Sequence, residues 1–275
     1  MKHKRFSHII EAVYHRPWFI TPGGYRAVRQ VVDARLARAE MPDLSEYEGC
    51  EREEMTIDAN GIAHIHVEGT MARGISALEA ICGGFDYEWL EADLQEVTRA
   101  GVKGVWVEFD TPGGAVEGNC ECADMLQEIA KKTPIVAWSD GTCASAGYNL
   151  AVSCTKLFGS QSSTWGSIGT IIPWCDESAA WEEEGMKWDP ITNAEGVLKG
   201  AGMGPSLTAA QRASLQEYVQ DAFDQFRGNV LRNRKVSDDA MRGQAFFAPR
   251  AFANNLIDGI STEQVAYNKL LAMVR

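Results

Sequence analysis

The sequence predicts an α/β fold with parallel strand pairing, and three observations carry that reading. From Met55 onward, short apolar runs alternate with amphipathic helical runs, the order that βαβ connections require. "GVWVEFD" (104–110) and "PIVAWS" (134–139) read as short buried strands. The chain has 275 residues, 45% hydrophobic and 23% charged, enough for one substantial core with a smaller appendage.

In chain order, residues 1 to about 40 read as helical. Val28, Val31, Val32 and Leu36 fall at helical spacing with arginines on the other face, and Pro17, Pro22 and Gly23-Gly24 interrupt the pattern upstream. The polar "EMPDLSEYEGCEREE" (40–54) is the expected link, which divides the chain into an N-terminal helical extension and linker (1–52) and a main domain (53–275). "MTID", an Asn60-Gly61 turn and the alternating "IAHIHVEG" form a hairpin. "YEWLEADLQEVTRA" and "VEGNCECADMLQEIAKK" are helices on either side of the 104–110 strand, and "SAGYNLAVS" starts another helix. "KLFGS" and "IGTII" continue the alternation as strands. Thr208 and Gln211 make a capping box for a helix expected to bury Leu215, Val219, Phe223, Phe226 and Val230.

A net charge of −12 argues against nucleic-acid binding as the main business, although "RAVRQVVDARLAR" concentrates arginine locally. No apolar run reaches the roughly 18–20 residues of a membrane helix, so no membrane anchor is expected. His, Glu, Tyr and Arg interrupt any signal-peptide core near the start, and a cytoplasmic location is the expectation. Seven irregularly spaced cysteines do not form a disulfide framework. Cys120 and Cys122 lack a second pair at zinc-site spacing, so they read as reduced thiols and no metal is expected.

Candidate chemistry centres on "DGTCASAGYNLA" (140–151). Ser145 follows a strand by a short glycine-containing turn and stands at the start of a helix, where N–H groups point at whatever binds. A plain N-cap serine would have the same setting. Pro112-Gly113-Gly114 makes a sharp turn with unshielded N–H donors suited to a developing oxyanion, though an ordinary strand-to-helix turn also fits. Every histidine lies at or before position 66, and His64 and His66 share one face of a strand. Nothing after Ser145 therefore offers a triad histidine. Lysine is the substitute base, with Lys156, Lys187, Lys199, Lys235 and Lys269 as downstream candidates. Lys199 stands out in the glycine-rich "AEGVLKGAGMGPSLT", where burial would favour its neutral form. Cys143 is a rival nucleophile without a thiolate-stabilising neighbour, and reads as structural.

Together these pieces resemble serine peptidase family S49, which includes signal peptide peptidase A and phage capsid-maturation proteases. The resemblance rests on "DTPGG" (110–114), "SAGY" (145–148), "GSIG" (166–169) and "GVLK" (196–199), followed by "GQAFFAPRAFANNLIDGI" (243–260). It implies a ClpP/crotonase-like fold of repeated ββα units, with Ser145 as nucleophile and Lys199 as general base. It further implies an oxyanion hole from Gly113, Gly114 and Ala146, no cofactor, and a homo-oligomeric ring, an assembly in which family members can draw the two catalytic residues from one protomer or from two. Thr111 and Asn149 depart from the family's usual serine and aromatic. The opening "RPWFITPGGYRAVRQVVDARL" is similar to phage and prophage members. The implied substrate is then a protein such as a capsid scaffold or portal, cut in the host cytoplasm or inside a prohead. A signal-peptide-degrading peptidase is the nearest alternative. A crotonase-type acyl-CoA enzyme would want a carboxylate near the turn, where Glu117 is the candidate, and a non-catalytic assembly protein is a third reading.

Overall fold

The alternation seen in the sequence folds as successive ββα units, whose long strands build one main sheet and whose short strands build two smaller ones. The computed structural model describes residues 13–38, 52–75, 79–80 and 83–275. The linker expected around 40–54 lies mostly outside the described residues, as do His3 and His8.

At the front, β1 (Trp18–Ile20) precedes helix α1 (Pro22–Arg38). β2 (Thr56–Ile57) and β3 (Ile62–Glu68) form the expected hairpin, with Asp58 accepting from the Asn60 and Ile62 amides in the turn. β4 (Thr70–Ala72) and β5 (Gly84–Asp86) lead to helix α2 (Tyr87–Ala100). Asp86 caps α2 by accepting from the Glu88 amide, and Gly101 ends it at φ 63°. The second unit is β6 (Gly104–Asp110), β7 (Gly113–Ala115) and α3 (Asn119–Ala130), and the third is β8 (Ile135–Ser139), β9 (Thr142–Ala144) and α4 (Ala146–Ala151). β10 (Lys156–Gly159) and β11 (Thr164–Gly166) follow, then the short helix α5 (Ser178–Glu183) and a 3-10 turn at Val197–Gly200. Helix α6 (Ala209–Asn233), β12 (Ala245–Phe247), α7 (Ala248–Ala253), β13 (Gly259–Ile260) and α8 (Glu263–Met273) complete the chain.

The main sheet runs β13-β10-β8-β6-β3-β2, parallel throughout except for the β2 hairpin edge. Its long strands are buried on both faces, which is why they read as apolar runs rather than alternating ones. One face packs on α2, α3 and α4 through Leu90, Leu94, Leu126 and Leu150. The other carries α8, where Ala266 and Leu270 meet Trp106, Trp138 and Phe158. The short strands form two smaller sheets, β1-β7-β4-β5 and β12-β11-β9, joined by a bridge between Thr111 and Cys143.

Three expectations need correction. The strand expected at "IGTII" lies earlier, at Thr164–Gly166, and only Ile171 pairs, in a bridge to Trp18. The N-terminal extension is not helical alone, because β1 enters the second sheet beside β7. Helix α6 buries Phe226 and Val230 fully, whereas Leu215, Val219 and Phe223 are only half-buried because its first half runs along the surface.

Candidate active site

Strong local constraints hold Ser145. It sits between β9 and α4 with φ 55° and ψ −115°, a region that non-glycine residues occupy only when the surroundings enforce it. Those surroundings are visible. The Ser145 amide donates to the Gly166 carbonyl at 2.7 Å, and the Ser145 carbonyl accepts from the Asn149 amide at 2.9 Å as the first turn of α4. The side chain is fully buried and its Oγ has no hydrogen-bond partner. A buried hydroxyl without a partner costs free energy, so the fold holds this one at the head of α4 against two local preferences.

The Pro112-Gly113-Gly114 turn lies against the same segment. Thr111 donates its amide to the Thr142 carbonyl at 2.6 Å and accepts from the Ala144 amide at 3.2 Å, which places the turn one residue from Ser145. A Cβ on Gly147 would stand 2.3 Å from Thr111 Cγ2, so α4 approaches the turn at a distance only glycine permits. Gly113 has φ 112° and donates its amide to Thr111 Oγ1 at 3.1 Å. Gly114 pairs with Phe19 of β1 on one side and Met71 of β4 on the other. Thr111, which opens the turn, thus lies beside the strand that leads into Ser145 and against the first turn of α4.

Behind them runs a buried chain of amides that sequence reasoning did not single out. Asn119 Nδ2 donates to the Ala146 carbonyl at 3.0 Å, and Asn149 Nδ2 donates to Asn119 Oδ1 at 2.7 Å. Asn229 Nδ2 from α6 then reaches the Asn149 carbonyl and Oδ1, and Ser153 Oγ, at 2.9–3.1 Å. The available signal was three asparagines at positions where the helical pattern faces the core. Asn149, noted as a departure from the family pattern, is the middle member. Tyr148 Oη donates to the Leu256 carbonyl at 2.8 Å, tying α4 to the closing segment.

The other candidates lie elsewhere. Lys199 is exposed on the 3-10 turn, and only its backbone is tied down, through the Gly196 carbonyl at 3.0 Å. The burial anticipated for it does not occur within a single chain. Lys156 pairs with Asp258 at 3.0 Å. Burial pushes the Cys143 thiol well above its usual value, with Cys154 and Asp110 adding to the effect, so no thiolate forms there. Burial likewise raises Cys120 to about 11, and Cys122, to which Glu91 adds, to about 12. Glu117 is exposed and pairs with Arg16 at 3.2 Å. His64 bonds Asp58, and His66 lies between Glu53 and Glu108, both remote in sequence from the 145 turn. No helix among the described residues is long and apolar enough to cross a membrane.

A buried serine at a strand-to-helix turn, held at positive φ with its hydroxyl unpartnered, is a setting in which acyl-transfer enzymes place a nucleophile. The model of peptidase family S49 matches residues 127–274, more than half of the chain, and the chain belongs to that family. It is 26% identical over 258 residues to the head-tail preconnector protein GP5 of Enterobacteria phage P21, covering 87% of this chain and 51% of that protein. It is 28% identical over 188 residues to the capsid assembly protease C of Escherichia phage lambda, covering 65% and 43%. With a putative signal peptide peptidase SppA of Enterococcus faecium it shares 31% over 176 residues, covering 62% and 50%. The chain thus spans about half the length of these relatives. Among solved structures, an enoyl-CoA hydratase from Shewanella pealeana superposes with a TM-score of 0.48 at 10% identity, covering 86% of this chain and 78% of that one, too loosely to bear on function.

Proposed function

We propose that this S49-family chain is a serine endopeptidase in which Ser145 is the nucleophile and Lys199 the general base. The observation that carries the reading is Ser145 itself, forced to φ 55° with its Oγ buried and unpartnered beside the Gly113-Gly114 turn. Ser145 Oγ adds to the substrate carbonyl carbon while its proton passes to the neutral amine of Lys199. The resulting oxyanion is held by the Ala146 N–H and by the Gly113 and Gly114 N–H groups, once these give up their present bonds to Thr111 Oγ1 and to β1. Collapse expels the amine, which takes the proton back from Lys199 and leaves an ester on Ser145. Water then loses a proton to Lys199, attacks the ester, and returns Ser145 with its proton.

In one chain Lys199 is exposed, and the reading closes the dyad by assembly, the lysine coming from a neighbouring copy in a ring. Substrates are proteins of phage head assembly, such as a scaffold or portal, a role supported by the similarity to the phage capsid assembly protease and preconnector protein. Degradation of signal peptides is the second reading, favoured by the 31% identity to the SppA-like protein. A mixed peptide library treated with wild type, Ser145→Ala and Lys199→Ala across a pH series tests the chemistry by mass spectrometry. Cleavage only by wild type, rising with pH as a lysine base loses its proton, is expected; equal cleavage by either variant would remove that residue from the mechanism.

A further inference from the structure

The flanks of the candidate site are already joined by a strand of the chain's own N-terminal segment. β1 pairs antiparallel with β7, with Trp18 opposite Ala115, Phe19 opposite Gly114 and Ile20 opposite Gly113. Outside this register the Thr21 amide donates to the Pro112 carbonyl at 2.9 Å, and the Val116 amide to the Pro17 carbonyl at 3.3 Å. Residues 17, 19 and 21 therefore turn their backbone groups towards β7, and Phe19 takes the Gly114 edge. On the opposite side Trp18 exchanges both backbone bonds with Ile171, at 2.8 and 3.1 Å. Ile171 follows the "GSIG" run whose Gly166 carbonyl holds the Ser145 amide. β1 thus fills a slot with one wall at the proposed oxyanion turn and the other at the segment holding Ser145.

The side chains fill it as completely as the backbone. Trp18, Phe19 and Ile20 are buried, and the Phe19 ring lies 4.9 Å from that of Phe226 on α6. The fit tolerates no side chain at the turn, since a Cβ on Gly113 would stand 2.1 Å from the Phe19 carbonyl oxygen. A peptide presented to Ser145 in extended form needs a sheet edge to pair with, and here the edges are taken.

We propose that this slot is the substrate-strand site, that Trp18–Ile20 is its resident competitor, and that the peptides it takes carry a large apolar side chain where Phe19 sits. The proposal rests on the reading of Ser145 as nucleophile. An incoming strand of matching chemistry remakes the same backbone bonds and refills the Phe226-lined position, so the exchange is balanced apart from tethering. A tethered strand competes at an effective concentration of about millimolar, which holds the site latent towards free peptides.

The test uses the full chain as wild type, Trp18→Ala and Phe19→Ala, each checked for folding by circular dichroism and melting. The probes are a synthetic peptide copying residues 15–24 joined to a Gly-Ser tail, and the same peptide with its three apolar positions made serine. Cleavage is followed by mass spectrometry, and hydrogen exchange is followed at residues 113–116 and 171. Weakening β1 raises the open fraction, so the folded variants should cut the apolar peptide about tenfold faster than wild type and leave the serine peptide alone. The apolar peptide should also slow exchange at 113–116 in the variants. Protection without cleavage in any form would keep the slot and count against the Ser145–Lys199 reading rather than against the slot. Folded variants that show neither faster cleavage nor protection would overturn the proposal. So would failure of both variants to fold together with wild-type exchange at 113–116 that occurs only on global unfolding.

Discussion

Asn119 on α3 donates its side-chain amide to the Ala146 carbonyl, 3.0 Å away, and so ties α3 to the first turn of α4, one peptide beyond the candidate nucleophile. Removing that side chain leaves the buried Asn149 amide without its acceptor and cuts the chain of amides running to Asn229. Asn119→Ala should lower stability by about 1–3 kcal/mol, read from denaturant midpoints. Its kcat should fall more than its KM rises, because the change loosens the first turn of α4, which carries the Ala146 N–H, rather than the peptide groove. Unchanged kcat in a folded Asn119→Ala protein would separate this network from catalysis.

Backbone strain at Ser145 makes a second prediction of opposite sign. Glycine occupies positive φ without a Cβ penalty, so Ser145→Gly should stabilise the fold by about 1 kcal/mol while abolishing hydrolysis. Ser145→Ala keeps the strain and removes only the unpartnered hydroxyl, so its melting temperature should rise less. Thermal melts of the three proteins give the order.

Acid stability should depend on Asp258. Burial alone would raise this carboxyl, but the Arg234 guanidinium, with the Leu157 amide and Lys156, outweighs it and holds Asp258 below the usual carboxylate range. A depressed folded-state pKa contributes stability that is complete above the unfolded value of about 3.9 and is lost as pH falls through the lower folded one. Asp258→Asn should flatten stability across that acid window. It should also cost on the order of 2 kcal/mol at neutral pH, because Arg234 is left buried without its charge partner. Urea melts at neutral and acid pH measure both.

The turn opposite Ser145 gives a fourth. Gly113→Ala places a Cβ where the Phe19 carbonyl already stands, at a φ that alanine resists. The variant should lose on the order of 2 kcal/mol and shift the near-UV signal of Trp18 as β1 is displaced, whereas Gly74→Ala, with open space around the Cβ and also at positive φ, controls for strain alone.

Much of this was legible because the strand code was simple. β6 and β8 are buried on both faces and read as apolar runs, β3 alternates because one face carries His64 and His66, and α6 announces itself by its Thr208–Gln211 capping box. Ser145 and Gly113-Gly114 stood out as small residues between such runs. β1 did not, because "WFI" between two prolines carries no period, and its pairing with Gly114 and Ile171 spans sequence distances no local pattern records. The asparagine network escaped for the same reason, since Asn119, Asn149 and Asn229 meet only in the folded chain. "IGTII" looked like a strand by composition, yet its backbone turns after Gly166, where Ser167 takes φ 54° and its amide bonds Gln244 instead.

Covalent capture tests the central claim most directly. Wild-type protein incubated to completion with a fluorophosphonate, digested and mapped by tandem mass spectrometry should carry a single adduct, on Ser145, that is absent from Ser145→Ala. An adduct on another residue of a preparation that cleaves peptides, or cleavage by Ser145→Ala at the wild-type rate, would contradict Ser145 as the nucleophile.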